Sequence, residues 1–556
     1  MSGTGRAWSR RIVWLVTRLL LLCAAIMIAE MAFRLRADAV PWGLPNAQHY
    51  FSYHPDEIFL LMPAFGFAQG DWNPHFFNYG TLYIYLVGIP AVVFDVVPGG
   101  SHFPDNLRPL YQWARMTSVW LGGATIPVLY LALRRSGRLV SWGSAGLLAI
   151  CPLHVVHSSY ATVDVAATFW ITVAFLLALS GAESPSARRG MAAGAAVGLA
   201  AATKYNAGLF IVAVIACPLL APPRAWSRRW FLGVVAGALI GFMAGCPFFW
   251  TREFAQGVLF EISHAARGGT PAFVNTGTGW EYHLFRGLPT GLGFSLLACA
   301  LIGASVALRT TDRAARLSLF WCLLYLSAIG FGKERFIRYL VPLAPFLVAL
   351  AAMGIAWLYR LPRRFLLRVP ALALLVLVGM HTFSYVILLV PEAVESRRKD
   401  DLWMTVVTDP RDRAWDAIAP EVLGTATPKR VGLTQSPWYF TPPVAPWNSG
   451  PLFRDQFEAW NLQTGRVVIT GWDAAKLAAE KPYFFFISDL EAMDLVRLGN
   501  PEVKEFARTE DSTYSRHTRF ERPAPAHAWL FPSRKLAPPD WLYRSPRISL
   551  GREPRP

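Results

Sequence analysis

Apolar runs of about twenty residues recur along most of this chain, and a segment of that length and character is stable as a helix inside a bilayer or a large protein core. The runs lie near 11–33, 114–133, 139–156, 163–181, 230–250, 289–308, 315–331, 336–357 and 369–391. Over 556 residues, 54% are hydrophobic and 16% charged, a composition that argues against a soluble enzyme. The formal net charge of +17 comes largely from arginines grouped between apolar runs, which points to membrane anchoring and not to nucleic acid. Cys23, Cys151, Cys217, Cys246, Cys299 and Cys322 all lie in or beside apolar runs, so no disulfide framework is expected for an extracytoplasmic part. Arg6, Arg10 and Arg11 precede the first run and no small-residue cleavage site follows it, so that run reads as an uncleaved span.

The arginine groups set the sidedness. They are Arg134/Arg135/Arg138, Arg188/Arg189, Arg224/Arg228/Arg229, Arg309/Arg313/Arg316 and Arg360/Arg363/Arg364/Arg368. With the N-terminus inside, all are cytoplasmic if 79–97 lies along the membrane surface and 191–221 turns back at Lys204 as a helical pair. This predicts a polytopic α-helical membrane protein of about eleven spans. The segment 191–203 is its short element, reaching about 20 Å at 1.5 Å per residue.

The same topology gathers polar clusters on the opposite face: the first outer loop 34–112, the turn at Asp164, the Lys204 turn, loop 251–288, loop 332–338 and the tail. Residues 1–391 are expected to form the transmembrane module, and 392–556 a C-terminal extracytoplasmic domain where charge, proline and turn residues return. Arg430–Leu433, Val467–Thr470 and Tyr483–Ile487 read as short buried strands and Asp489–Leu498 as a helix, giving an α/β fold there. The last thirty or so residues, rich in Pro and Arg, read as irregular.

Within the outer clusters, His54-Pro55-Asp56-Glu57 places two carboxylates beside a membrane. Asp56 and Glu57 are candidate catalytic groups, because apolar walls raise carboxylate basicity; the structural alternative is a helix N-cap after Pro55. Asp164, between two spans, carries the same two readings. Lys204, Arg335 and Arg338 are candidate phosphate-binding cations, the two arginines falling on one face if a helix starts there; the alternative is interfacial anchoring. His54, His75, Asn78, Tyr79, Tyr205 and His283 are candidate substrate contacts, and Asp56 and Asp164 are candidate ligands for a divalent metal ion. His264, Arg267, Trp280 and Glu281 read as structural, and no phosphate loop or zinc spacing occurs.

Taken in order, HPDE, NPHFFNYGTLYIYL, SSYATVDVAATFW, ATKYNAGLF, WEYHLFRGLP and RFIRYLVPLAPFL resemble the polytopic GT-C glycosyltransferases, especially the group related to protein mannosyltransferases and to the aminoarabinose transferases of lipid A. The resemblance covers roughly residues 10–390. It implies transfer of a sugar from a polyprenyl-phosphate donor to an extracytoplasmic acceptor, with Asp56 and Asp164 matching the family's outer-loop acidic residues. Where the aminoarabinose transferases carry Lys-Pro-Pro, this chain has Tyr79-Gly80-Thr81, a departure that bears on the donor sugar and on any metal nearby. A departing lipid phosphate needs cations and the acceptor needs one base, so Asp56 with Lys204, Arg335 and Arg338 would suffice for an inverting reaction. The expected location is a bacterial plasma membrane. The competing classes are a lipid or sugar transporter, whose ionisable groups would lie at midplane, and a non-catalytic assembly subunit that presents the tail.

Overall fold

The computed structural model describes residues 22–37, 40, 52–102, 107–267, 277–360, 376–378, 382, 409–424, 429–446, 454–520 and 548–555. Apart from 376–378 and 382, the expected span at 369–391 lies outside these residues, as does the first half of the one at 11–33.

Helix α1 (22–37) is followed by two short helices of the first loop, α2 (Glu57–Leu61) and α3 (Pro63–Ala68), and by α4 (Leu82–Val93). The long α5 (Leu107–Leu133) follows, then α6 (Arg138–Ala149), α7 (Pro152–His157) and α8 (Val163–Gly181). Next come α9 (Ala187–Thr203), α10 (Phe210–Ala216), α11 (Arg228–Gly245) and α12 (Arg252–Arg267). The helical region closes with α13 (Gly279–Tyr282), α14 (Leu288–Leu292), α15 (Phe294–Arg309), α16 (Arg313–Gly330) and α17 (Ala344–Arg360), the last preceded by a 3-10 turn, Ile337–Leu343.

Among the described residues, Leu107–Leu133, Val163–Gly181, Arg228–Gly245 and Ile337–Arg360 are long and apolar enough to cross a bilayer. A fifth counts if Gly279–Leu292 and Phe294–Arg309, bent by 115° at Gly293, form one broken span. Of the other segments read as spans, α6 has 12 residues and α9 has 17, so they reach the membrane faces only with help from neighbours. Helix α4, also 12 residues, packs with α2, α3 and the starts of α5 and α8 in a cluster of its own.

Close helix contacts rest on small residues. Gly190, Gly194 and Gly198 of α9 face Gly233, Gly237 and Gly241 of α11, and a methyl at Gly194 or Gly237 would run into the backbone of the facing helix. Without water to drive apolar association, such backbone approach is what joins helices in lipid. The described members of the arginine groups lie at one end of the bundle, with Arg360 beside Gly137. There Arg135 pairs with Glu183, Arg316 donates to Leu220 O at 2.8 Å and Arg313 to Ala221 O at 2.7 Å.

The C-terminal region adds α18 (Pro410–Asp416), α19 (Ala419–Leu423), α20 (Arg454–Thr464), α21 (Ala474–Glu480), α22 (Asp489–Arg497) and α23 (Pro501–Thr513). They surround a sheet of β1 (Val431–Leu433), β2 (Val467–Ile469), β3 (Phe484–Ser488), β4 (Tyr514–Phe520) and β5 (Ile548–Pro554), ordered β2-β1-β3-β5-β4. β1 runs parallel to β2 and β3, whereas β5 is antiparallel to β3 and β4. Strand β3 is an apolar run because both faces are covered: Phe484 and Phe486 pack with Ala414 and Trp415, while Phe485 packs with Leu477, Phe506 and Tyr514. The expectation of an irregular C-terminus is corrected at 548–554. This segment is an inner strand whose Gly551 leaves room for the Tyr514 ring, a role invisible in a stretch rich in Gly, Arg and Pro.

Candidate active site

At the end of the bundle opposite the arginine groups, four segments bring charged side chains together. Glu57 opens α2 and is wholly buried. Its Oε1 accepts from Arg115 Nε at 2.7 Å and Ala161 N at 3.0 Å; its Oε2 accepts from Arg115 Nη2 at 2.7 Å and Tyr53 N at 2.9 Å. Burial would raise this carboxyl, but the Arg115 guanidinium outweighs it and holds Glu57 below the ordinary carboxylate range. Glu57 therefore anchors the first loop to α5 and to the turn before α8, instead of facing a substrate as a catalytic group.

Asp56 sits at the N-cap of α2 yet makes no capping hydrogen bond. Its Oδ2 accepts from Arg338 Nη1 at 2.7 Å and from the Tyr79 hydroxyl at 3.0 Å. Burial pushes its pKa up, and Arg338, His54 and Tyr79 together bring it below the usual range. His54 Nε2 lies 3.0 Å from Arg338 Nη1 and its Nδ1 accepts from Asp56 N at 3.2 Å; burial lowers the pKa of this imidazole against the pull of the Asp56 carboxylate. Asp164 likewise caps nothing: α8 starts at Val163, and the carboxylate accepts from Lys204 Nζ at 2.6 Å. Lys204 ends α9 in an extended conformation, which turns its ammonium toward Asp164 and to 5.0 Å from the Tyr339 ring. Gly80 allows this closeness, because a side chain there would collide with Ala202 at the end of α9.

Tyr205 donates from its hydroxyl to Phe77 O at 2.8 Å and Tyr79 O at 2.9 Å, fixing the strip that holds half-buried Asn78. His75 is instead exposed between Asp71 and Glu253, 2.9 Å from each, and ties the loop to α12. The expectation that Arg335 and Arg338 share a helix face is corrected. Phe336 is extended and the 3-10 turn begins at Ile337, so Arg338 turns to Asp56 while Arg335 bonds Gly277 O, and Lys333 O at 3.1 Å. His283 is buried elsewhere, in a wide turn beside Tyr282, with neither ring nitrogen hydrogen-bonded among the described residues. Glu281 forms a capping box with Thr278, and His264 pairs with Glu334 at 3.1 Å.

One neighbour of the cluster escaped sequence reading. On α12, the half-buried positions 254, 257, 258, 261 and 264 form one stripe, while Leu259, Phe260 and Ile262 are exposed. Gly257 lies against the backbone of Phe77, so Glu261 one turn later faces the cluster, and burial raises its carboxyl. A carboxylate on the inward side of a helix whose apolar residues point outward was the available signal.

Asp56 and Asp164 thus each engage a cation of the chain itself. Among the described residues, the group with three ligand atoms close enough to share a metal ion is Glu510, Asp511 and His517, exposed for the most part and remote in sequence from these acids. An apolar cleft of about 460 Å³ between α1, α5 and α6, lined by Phe33, Trp120, Tyr130 and Trp142 among others, contains none of the charged residues of the cluster.

The family read from the motifs is matched independently. Residues 65–255 fit the model of the dolichyl-phosphate-mannose-protein mannosyltransferase family, so the chain is similar to GT-C glycosyltransferases of that group. The matched stretch carries Tyr79, Asp164, Lys204 and Tyr205; Asp56 precedes it and Arg338 follows it. Among solved structures, ArnT from Cupriavidus metallidurans in the apo state is 15% identical, with a TM-score of 0.47 over 97% of this chain and 98% of that one. The same protein bound to undecaprenyl phosphate gives 14% identity and 0.45, over 94% and 97%. The Archaeoglobus fulgidus oligosaccharyltransferase in the apo form gives 12% and 0.47, over 89% of this chain and 72% of that one. No curated protein sequence matches the chain.

Proposed function

We propose that this protein is a membrane glycosyltransferase that moves a sugar from a polyprenyl-phosphate donor to an extracytoplasmic acceptor with inversion. The observation that carries the reading is the two buried ion pairs, Asp56–Arg338 at 2.7 Å and Asp164–Lys204 at 2.6 Å, at one end of a bundle of apolar helices. The family match over 65–255 supports it.

A lipid phosphate entering this cluster competes with the carboxylates for the same two cations. Arg338 offers a planar guanidinium and Lys204 a point charge, which together suit a phosphate whose negative charge grows as it departs. As the phosphate takes Arg338, Asp56 loses a main cause of its low pKa and becomes a stronger base. Donor binding thereby prepares the proton acceptor. The acceptor hydroxyl gives its proton to Asp56 and its oxygen bonds the anomeric carbon; the bond from that carbon to the phosphate oxygen breaks, and the phosphate leaves with the electron pair. Attack opposite the leaving group inverts the centre. Asp164 holds Lys204 in place, and Tyr79 orients Asp56.

The first test is transfer from a panel of radiolabelled polyprenyl-phosphate sugars in membranes that contain wild type or Asp56→Asn. Loss of a general base costs about 10²- to 10⁴-fold, so label should reach acceptor with wild type alone while donor binding persists in the variant. A near-normal rate in Asp56→Asn removes Asp56 from the chemistry. No transfer from any donor by folded wild type removes the reading.

A further inference from the structure

The catalytic loop is held from two directions. Glu57 binds it to the helical bundle from inside; from the other side the C-terminal region reaches it through Tyr53, three residues before Asp56. The Tyr53 hydroxyl donates to Asp412, lying 2.7 Å from Oδ1 and 2.6 Å from Oδ2. The Tyr53 ring carries the Arg411 guanidinium 4.5 Å from its centroid and that of Arg115 at 5.2 Å. Arg411 is in turn fixed by Asp409 at 2.7 Å and by the carbonyl of Tyr439. Asp409, Arg411, Asp412 and Tyr53 are all buried, so this is a built contact and not a surface touch. Residues 410–416 form α18, whose Ala414 and Trp415 belong to the core beneath the sheet.

From this geometry we infer that the C-terminal region is a clamp on the catalytic loop, with Asp412 and Tyr53 as positioning residues that set Asp56 against Arg338. The inference rests on the glycosyltransferase reading for its effect on rate, but the clamp itself is a statement about loop order. A short path joins the two ends. The backbone N–H of Tyr53 donates to Glu57 and its hydroxyl to Asp412, so displacement of Tyr53 pulls on both sides of Asp56.

The clamp is also sensitive to pH. The groups facing Asp412 are Asp409 and Arg411 on its own segment, Tyr53 from the first loop and Arg115 from α5; Tyr160, before α8, faces Arg411. Burial and then the charge of Asp409 push the Asp412 carboxyl up to about 7. A docked Asp412 holds its proton where a released one, near pKa 4, has lost it. Docking therefore weakens as pH rises from about 4 to 7 and is level above that.

The test uses the full-length protein in nanodiscs with Tyr53→Phe, which keeps the ring, and Asp412→Asn, which keeps an acceptor for the hydroxyl. Amide exchange protection of residues 53–57 and transfer kinetics are both read from pH 4.5 to 8. Tyr53→Phe should lower protection about tenfold and kcat about tenfold, the upper end of the scale of one buried neutral hydrogen bond, with donor KM within twofold. Asp412→Asn should keep wild-type protection at low pH and lose the decline in protection between pH 5 and 7. Unchanged protection and kcat in Tyr53→Phe overturn the clamp, as does a wild-type pH decline retained in Asp412→Asn. If wild type transfers nothing from any donor, the functional reading fails while the protection factors still decide the clamp.

Discussion

Glu57 and Asp56 are adjacent in the chain and opposite in circumstance. The Glu57 carboxylate is fully enclosed and saturated by Arg115, Ala161 and Tyr53. That of Asp56, against Arg338 and Tyr79, retains some exposure, its side chain being 17% accessible. Removing one partner of a buried ion pair strands the other charge, at a cost of about 3–5 kcal/mol. Glu57→Gln should therefore unfold at markedly lower temperature, whereas Asp56→Asn should lose rate with less effect on melting. The sign of the pH effect follows from the low Glu57 pKa: its stabilisation is present above the unfolded value of about 4.3 and is lost as pH falls through the folded value. Thermal melts in detergent from pH 6 to 3 check this, because Glu57→Gln should flatten the acid limb of the wild-type curve. A melting temperature equal to wild type at pH 7 contradicts the anchor. The tetrapeptide marked both acids as unusual beside a membrane, but their division of labour depends on Arg115 and Arg338, which lie 58 and 282 residues away in sequence.

At the scale of elements, backbone contact between α9 and α11 decides where Lys204 ends up. The glycines at every fourth position let α9 lie against α11, and the helix stops at Thr203, presenting Lys204 to Asp164. Gly237→Val should cost about 1–3 kcal/mol through overpacking and displace Lys204, lowering both melting temperature and donor affinity. Gly146, in α6, has open space beside it, and Gly146→Ala should raise stability by about 0.5–1 kcal/mol. Melting curves of the two variants should shift in opposite directions, and an unchanged or raised melting temperature in Gly237→Val would show that the α9–α11 interface does not depend on its glycines. The turn at Lys204 was legible from length together with arginine sidedness, since 191–221 is too long for one span and a single helix would reverse every later arginine loop. The start of the turn carrying Arg338 was not. Phe336 is extended because the chain must bring Arg335 to Gly277 and Arg338 to Asp56, a demand set by distant segments.

For the whole molecule, charge is polarised. Arginine groups gather at one end and the Asp56, Asp164, Lys204 and Arg338 cluster at the other. Single cysteines placed at Arg188 or Arg309 should react with an impermeant thiol reagent only after cells are opened, and one at Asn73 should react in intact cells. Labelling at all three from one side contradicts the topology. What the sequence by itself determined is periodic and local: apolar segments, arginine sidedness, the acidic and basic candidates, and three strands whose Val and Phe runs need burial on both faces. Only the tertiary structure decided which cation meets which acid, that Glu57 is enclosed, that Glu261 faces inward and that β5 completes the sheet. The physical reason is that ion pairing and backbone approach depend on distances between segments remote in the chain. Hydrophobic period and loop charge, in contrast, act on each segment separately.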